Sequence, residues 1–507
     1  MKNKPLGGSS LSEIIANDQF YVDKTALASK LLFDARRRFL LARPDGFGKT
    51  LFIDTLQLIF EAKKELFKGL YIYDHWDWST SYPVIRLNLG VSRCPDEEGM
   101  VLLLKRQLLK NERKFDFQSE DSDVLSRFSD LICLLSKKYK SKVVILIDDY
   151  DRPVLDNFTG NHVALIRDML SSFYGIIDDN REYVKLCFMT GISSLDIDIS
   201  KIELNGFYDI SLDADYSEVC GFTENEITPW LRSSCGAGDT NTAVEDYCAY
   251  QWNGAKVCRP VDFSGLVEMS FNKAHWFFKR SWHERLSRFI KSSQYVPDLM
   301  ACSVNEQVLL SGEMSTIKFL YLYGILVNKG TREGVLDSKN YIFGFPSKQV
   351  EYSFNSEFFS ILVGDFEWSC DLREKLVYAL KSKMLKEMQE IFDEIFFAYN
   401  AKHQYQSGCY ISLLYVVFAS LGLGLVVETT ERKKYVDLMI ELDEVLYIIS
   451  IQEDAGFSGV DPITRLINNR YAEKYIDKRK DIFFVGFEMK NKCPFECIFS
   501  SEIMNVF

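Results

Sequence analysis

The sequence predicts an α/β protein of several domains. A mostly parallel sheet comes first, then a mainly helical middle region, then a smaller α/β region at the C-terminal end. Three observations carry this expectation. Over the first 200 residues, apolar strand-like runs alternate with amphipathic helical stretches, the pattern of strands joined by crossover helices. One run, Val143–Ile147, is continuous and largely β-branched, as a strand covered on both faces requires. A chain of 507 residues also exceeds what one hydrophobic core organises, which points to roughly two to four domains.

Taken in order, Arg38–Ala42 is a short apolar run ending at a Pro/Gly-containing loop. Leu51–Ala62 places Leu51, Phe52, Leu56, Leu58 and Ile59 at helical spacing. Val84–Leu89 is the second strand candidate, Val101–Leu109 and Val124–Leu135 are helix candidates, and Val184–Met189 follows Val143–Ile147 as the next strand. From residue 215 to 375 strong β runs become scarce, and aromatic and charged residues mix at helical spacing, as in Phe277–Ile290 and Ile317–Val327. From 376 onward the expected order is helix, strand, strand, helix, strand: Leu376–Phe397, Leu425–Thr429, Asp437–Ile451, Ile463–Tyr475 and Ile482–Gly486. The expected domains are therefore 1–214, 215–375 and 376–507.

Composition narrows the function classes. A net charge of −12 argues against a general nucleic-acid coat, which needs a basic surface to neutralise phosphates. The 12 cysteines are scattered, and Cys493 and Cys497 lack the spacing of a zinc knuckle or redox pair, so reduced thiols and a cytoplasmic location are expected. No apolar run follows Lys2 and Lys4, so no signal peptide is expected. Ile411–Val427 is uncharged and almost the length of a spanning helix. Gly422 and Gly424 interrupt it, so a core helix followed by the short strand Leu425–Val427 is expected instead, and no membrane partner.

The chemistry-bearing stretch is Arg43-Pro44-Asp45-Gly46-Phe47-Gly48-Lys49-Thr50, lying after a strand and before a helix. A phosphate needs inward backbone N–H groups, a cation and the positive end of a helix. Gly46 and Gly48 permit the tight backbone, Lys49 reaches the outer phosphates, and the Thr50 hydroxyl can ligate Mg²⁺. The usual pattern has glycine where Arg43 stands, and Gly-Lys-Thr alone recurs by chance. A second element supports it: Val143–Ile147 runs into Asp148-Asp149. A carboxylate at a strand tip beside such a loop holds the magnesium shell, and the next one orients the attacking water. The bland alternative is a polar strand end capping a loop. Thr190, at the end of the following strand, reads either as an ordinary strand-end hydroxyl or as a sensor of the γ-phosphate.

At this point the sequence resembles a bacterial family in which an AAA-ATPase-like domain is fused to a C-terminal PD-(D/E)XK nuclease-like domain. The stretches that carry the resemblance are Tyr21–Thr25, Arg43-Pro44 with Phe47–Thr50, Tyr82–Ile85, Leu146–Asp151 with Pro153, Thr190–Ser193 and Cys220–Glu224. They span most of residues 10 to 230, and Arg43-Pro44 is itself the family's opening to this loop. The resemblance implies a P-loop NTPase sheet with ATP and Mg²⁺ as cofactors. The departures bear on turnover. The family has Glu where Asp149 stands, a basic pair at Asp45-Gly46 and Arg at Ser194, and losing those charges weakens transition-state stabilisation.

Weaker similarity to the nuclease-like domain runs through Tyr410–Gly422, Val427-Glu428, Val436–Leu438, Tyr447–Ile449 and Arg470–Tyr475. Such a core needs a carboxylate on one strand and Glu-x-Lys on the next. Glu428 and Asp437 match the upstream acids, but Glu-x-Lys falls on Ser450-Ile451-Gln452, and Glu453 has the wrong strand parity. The resemblance thus implies a restriction-endonuclease-like α/β domain without nuclease activity, serving as a binding module for a protein or nucleic-acid partner. For Asn469–Lys480 a solvated helix face is expected rather than a nucleic-acid patch. The reading is an ATP-binding protein with slow Mg²⁺-dependent hydrolysis. The alternatives are a nucleotide-gated metal-dependent nuclease using Glu428 and Asp437, and an interaction protein with a vestigial loop.

Overall fold

The computed structural model describes residues 10–92, 94–117, 119, 121–157, 162–194, 202–235, 240–241, 244, 247–262, 286–287, 303–305, 315–333, 339–402, 409–429, 435–453, 461–468, 470, 472–473, 475, 480–490 and 496–504. They fall into two compact units, one of residues 1–277 with 303–347, the other of 278–302 with 348–507.

The first unit is built on a five-stranded sheet of β1 (Arg38–Ala42), β2 (Val84–Asn88), β3 (Val143–Asp148), β4 (Val184–Gly191) and β5 (Tyr208–Asp209), in the order β2-β3-β4-β1-β5. Every pairing is parallel. Alternate residues of each strand face opposite sides, and both sides are apolar. Leu40, Ile85, Ile145, Ile147 and Met189 join one core cluster. Phe39, Leu41, Val84, Val144, Leu146 and Phe188 join the other. The first face is covered by helices Glu97–Lys114, Val124–Tyr139 and Val163–Asp179, and the second by Thr25–Phe33 and Lys49–Phe60. Side-chain caps start two of these helices, the first four residues before the expected Val101 and the second at the expected Val124: Asp96 accepts from the Gly99 N–H and Asp123 from the Ser126 N–H. Glu97 and Glu98 in the first turn and Arg113 and Lys114 in the last match the dipole of the helix they occupy.

Between residues 215 and 375 the described residues carry helices Glu224–Cys235, Thr316–Leu322 and Lys348–Val363, but the middle region also holds strands that the sequence did not announce. Among the described residues it carries two three-stranded sheets, β6 (Phe222–Thr223), β8 (Lys256–Cys258) and β7 (Tyr250–Gln251), and β10 (Val327–Glu333), β11 (Lys339–Gly344) and β9 (Ser303–Asn305). Strands of two or three residues are too short for a period-two pattern, and β10 is largely exposed, so neither produces an apolar run. Ile317–Val327 resolves into helix Thr316–Leu322, a turn and the start of β10. Phe277–Ile290 lies almost entirely outside the described residues. Cys248 and Cys258 form a disulfide, which corrects the expectation of reduced thiols throughout.

The second unit holds a five-stranded sheet in sequence order: β12 (Gly424–Thr429), β13 (Tyr435–Glu441), β14 (Val445–Glu453), β15 (Asp481–Lys490) and β16 (Glu496–Met504). Only β14–β15 is parallel. Two expectations are corrected by tight turns. Asp437–Ile451 is not one strand but a hairpin. Leu376–Phe397 spans two helices, Phe366–Lys381 and Leu385–Lys402, broken where Lys383 takes a left-handed conformation, φ 60°. The uncharged segment is a helix, Cys409–Ala419, followed by β12, as expected. Among the described residues no helix is long and apolar enough to cross a membrane.

Candidate nucleotide site

The loop between β1 and helix Lys49–Phe60 is shaped by two left-handed glycines, Gly46 at φ 86° and Gly48 at φ 96°. Residues with a Cβ adopt that backbone at a cost, whereas glycine does not. Gly48 is the helix N-cap, and its carbonyl accepts from the Phe52 N–H at 3.0 Å. Thr50 is exposed on the first turn. Lys49, only 6% exposed, curls back over the loop and donates to the carbonyls of Arg43 at 2.7 Å and Pro44 at 3.2 Å. Asp45 lies 3.7 Å from it and is also held by Arg152 at 3.3 Å.

The strand order brings the acids to this loop. β4 lies between β1 and β3, so the tips of all three strands end side by side. Asp148, fully buried at the tip of β3, accepts from the Thr190 hydroxyl of β4 at 2.6 Å through Oδ1. Its Oδ2 is buried with no hydrogen-bond partner. A buried carboxylate oxygen left unpaired is costly, so this atom is where a cation fits. Asp149 follows in a left-handed conformation, φ 55°, which Asp tolerates better than most residues. Burial pushes its carboxyl up to about 6, with Lys49 opposing and Asp148 and Asp45 adding to the rise. Lys49, Asp45, Asp148, Asp149 and Thr190 are thus brought together.

Two members of the motif turn elsewhere. Arg43 is 1% exposed; it donates to the carbonyls of Ala42 at 2.8 Å and Ser211 at 2.7 Å, and its guanidinium lies 4.3 Å from the Trp252 ring centroid. Burial lowers it to about 10. Phe47 is buried edge-on between Tyr250 and Trp252, with centroids 4.9 and 5.0 Å away. The loop's outer side is therefore clamped: Pro44 lies over Gly324, and a Cβ on Gly46 would come within 2.5 Å of Val261. The small cavity behind Arg43 and Pro44, about 30 Å³, has room for little more than a water or two.

Sequence reasoning missed three contributors. Asp151 is buried and accepts from the N–H groups of Ile192, at 3.0 Å, and Ser193, at 2.6 Å, fixing the turn after β4; burial raises its carboxyl. Arg152 holds Asp45. Arg259 and Asp262 form a buried pair at 2.6 Å whose arginine stem lies beside Gly46. Asp151 stood inside a motif already quoted; Arg259-Pro260 carried no signal of its own.

In the second unit, backbone register sets Asp437 opposite both Glu428 and Ser450. The side chains of Glu428 and Asp437 lie outside the described residues. Ser450 is fully buried and accepts from the guanidinium of Arg465. Among the described residues no group of three or more His, Cys, Asp or Glu is placed to hold a metal.

The left-handed glycines, the helix start and the unpaired Asp148 oxygen lie together at the strand tips. Residues 5–199 match the model of a predicted AAA-ATPase family. That segment carries β1, β3, β4 and the whole loop, and it ends before Tyr250, Trp252 and Arg259. Over its full length the chain is similar to an uncharacterized protein in vnfD 5′ region of Azotobacter chroococcum mcd 1, 26% identical over 503 residues and covering 96% of each chain. The AAA-ATPase-like match supports a nucleotide-binding role at a coarse level; the relative brings no activity with it.

Proposed function

We propose that the first unit binds Mg²⁺–ATP and hydrolyses it slowly. The observation that carries this reading is the unpaired Asp148 Oδ2, buried beside the loop. Pro44, Asp45, Gly46, Phe47 and Gly48 contribute backbone, as does Arg43, whose guanidinium is engaged on the far side. Lys49 leaves the Arg43 and Pro44 carbonyls to meet the outer phosphates, Thr50 and Asp148 hold Mg²⁺, and Thr190 fixes the Asp148 carboxylate. When bound, magnesium neutralises charge on the phosphate oxygens. Asp149, ionised above about pH 6, accepts a hydrogen bond from a water and orients it. No cation occupies the Ser194 position, which fits slow turnover. Isothermal titration of wild type and Lys49→Ala with Mg²⁺–ATP tests the site. A loss of about 100-fold, about 2.7 kcal/mol, is expected; equal affinity overturns it.

We further propose that the second unit is a nuclease-like binding module for a protein or nucleic-acid partner that does not cut. The motive is Ser450, buried and already bonded to Arg465, where the resembled chemistry needs a carboxylate. Incubation with single- and double-stranded DNA and RNA plus Mg²⁺ or Mn²⁺ should leave the substrates intact. Cleavage by wild type that vanishes in Asp437→Ala would reverse this.

A further inference from the structure

The first unit contains a second cavity, about 750 Å³, that the nucleotide reading does not use. Its wall includes Arg232 from helix Glu224–Cys235, Lys256 from β8 and Lys329 from β10. Glu224 is the carboxylate among the described lining residues, and no ion pair joins it or any other described acid to these three cations. The Thr228 hydroxyl, in the same wall, is buried without a hydrogen bond. Lys256 and Lys329 are both exposed at the cavity wall. Partial burial, and then the neighbouring charge of Lys256, hold Lys329 below its usual range, while its Nζ reaches the Pro346 carbonyl at 3.3 Å. Two cations thus stand near each other on one wall with no ion pair to a described acid, beside an unsatisfied hydroxyl.

We propose that this cavity is a binding site for a small phosphate-bearing molecule, separate from the P-loop. Among the described lining residues, three cations against one carboxylate leave an excess that matches a phosphate monoester, which carries about −1.5 to −2 at neutral pH. Lysine suits a phosphate as a movable point charge, and arginine as a planar fork. Gln251, Val327 and Asn328 line both this cavity and the small one behind Arg43 and Pro44. An occupant therefore bears on the wall that backs the nucleotide loop.

The test uses the full chain carrying Lys49→Ala, which silences the P-loop. It is titrated with glycerol 3-phosphate, pyrophosphate and sulfate at matched ionic strength. At least one phosphorylated probe is expected to bind about 10-fold or more tightly than sulfate. Adding Lys256→Ala with Lys329→Ala should remove that binding, Lys256→Arg with Lys329→Arg should keep it, and Lys110→Ala, far along the chain on an exposed helix face, should change nothing. Thermal melting of each variant confirms that it is folded. No binding by either phosphorylated probe, binding equal to sulfate, or binding unchanged in the double alanine variant overturns the proposal. Titration of wild type with Mg²⁺–ATP reports on the P-loop separately, so either reading can fail alone.

Discussion

The two five-stranded sheets treat buried polar residues in opposite ways. In the first unit they stand at the tips of parallel strands, and one of them, Asp148, keeps an oxygen unpaired. In the second, Ser450 stands within β14 with a strand on each edge: it lies between Asp437 of β13 and Gly486 of β15 and is bonded to Arg465. A strand tip leaves coordination capacity open to solvent-borne ligands, whereas a mid-strand position is closed by its neighbours. The first arrangement leaves a carboxylate oxygen open, as the proposed magnesium site requires; at Ser450 the second has a guanidinium supplied by its own chain.

The sharpest break of this comparison is the metal dependence of binding. Asp148→Ala should lose the stimulation of ATP binding by Mg²⁺, about 100-fold by titration, while Asp437→Ala leaves it unchanged. Equal losses from the two would erase the distinction. Comparable in size is Arg43→Met, which leaves the buried carbonyls of Ala42 and Ser211 without that donor. A loss of about 2–4 kcal/mol is expected in urea denaturation, because buried acceptors left unpaired are expensive. If the guanidinium were instead a phosphate ligand, stability would hold and only affinity would fall.

Asp149 sharpens the picture through pH. Its folded value is raised to about 6 from 3.8, so the folded state binds the proton more tightly than the unfolded one. Its contribution to stability is present below about pH 4 and is lost as pH rises through about 6. Asp149→Asn mimics the protonated form and tolerates the same backbone. It should melt a few degrees above wild type at pH 7.5, with the gap closing by pH 4.5, in differential scanning calorimetry. Turnover should fall in the variant, and in wild type as pH drops below about 6. A gap that widens in acid would contradict the sign. The smallest effect is expected at Arg465→Lys in the second unit, which should leave ATP affinity within about two-fold in the same titration.

Much of the first unit was legible because its signals are local and redundant. An apolar run ending at a Pro/Gly-containing loop marked β1, a continuous β-branched run marked β3, and Gly46 and Gly48 marked the loop. What escaped was non-local. Nothing in Arg43 announces that its side chain turns toward Trp252, since that depends on Ser211, Tyr250 and Trp252, distant in sequence, packing against the loop. Strands β6 to β8 are too short to show a period. The break at Lys383 has no Gly or Pro, because a lysine holds the left-handed turn while Met384 N–H bonds back to Ala379. The Asp437–Ile451 hairpin hid because apolar residues run almost to the turn at Asp443. Arg259 and Asp262 gain meaning only from their place beside Gly46.

The position of β1 has a consequence for synthesis. The strand that launches the loop is made early, yet its hydrogen-bond neighbours are β4 and β5: Arg38 pairs with Cys187, and Phe39 with Tyr208. β2 and β3 can pair with each other before either arrives. Until β4 has emerged, Phe39, Leu40 and Leu41 present an apolar strand with both edges open, the kind of segment that recruits other chains. A nascent or truncated chain ending before Val184 should therefore be an aggregating species rather than a smaller nucleotide binder, with its phosphate loop formed in sequence but unsupported in space.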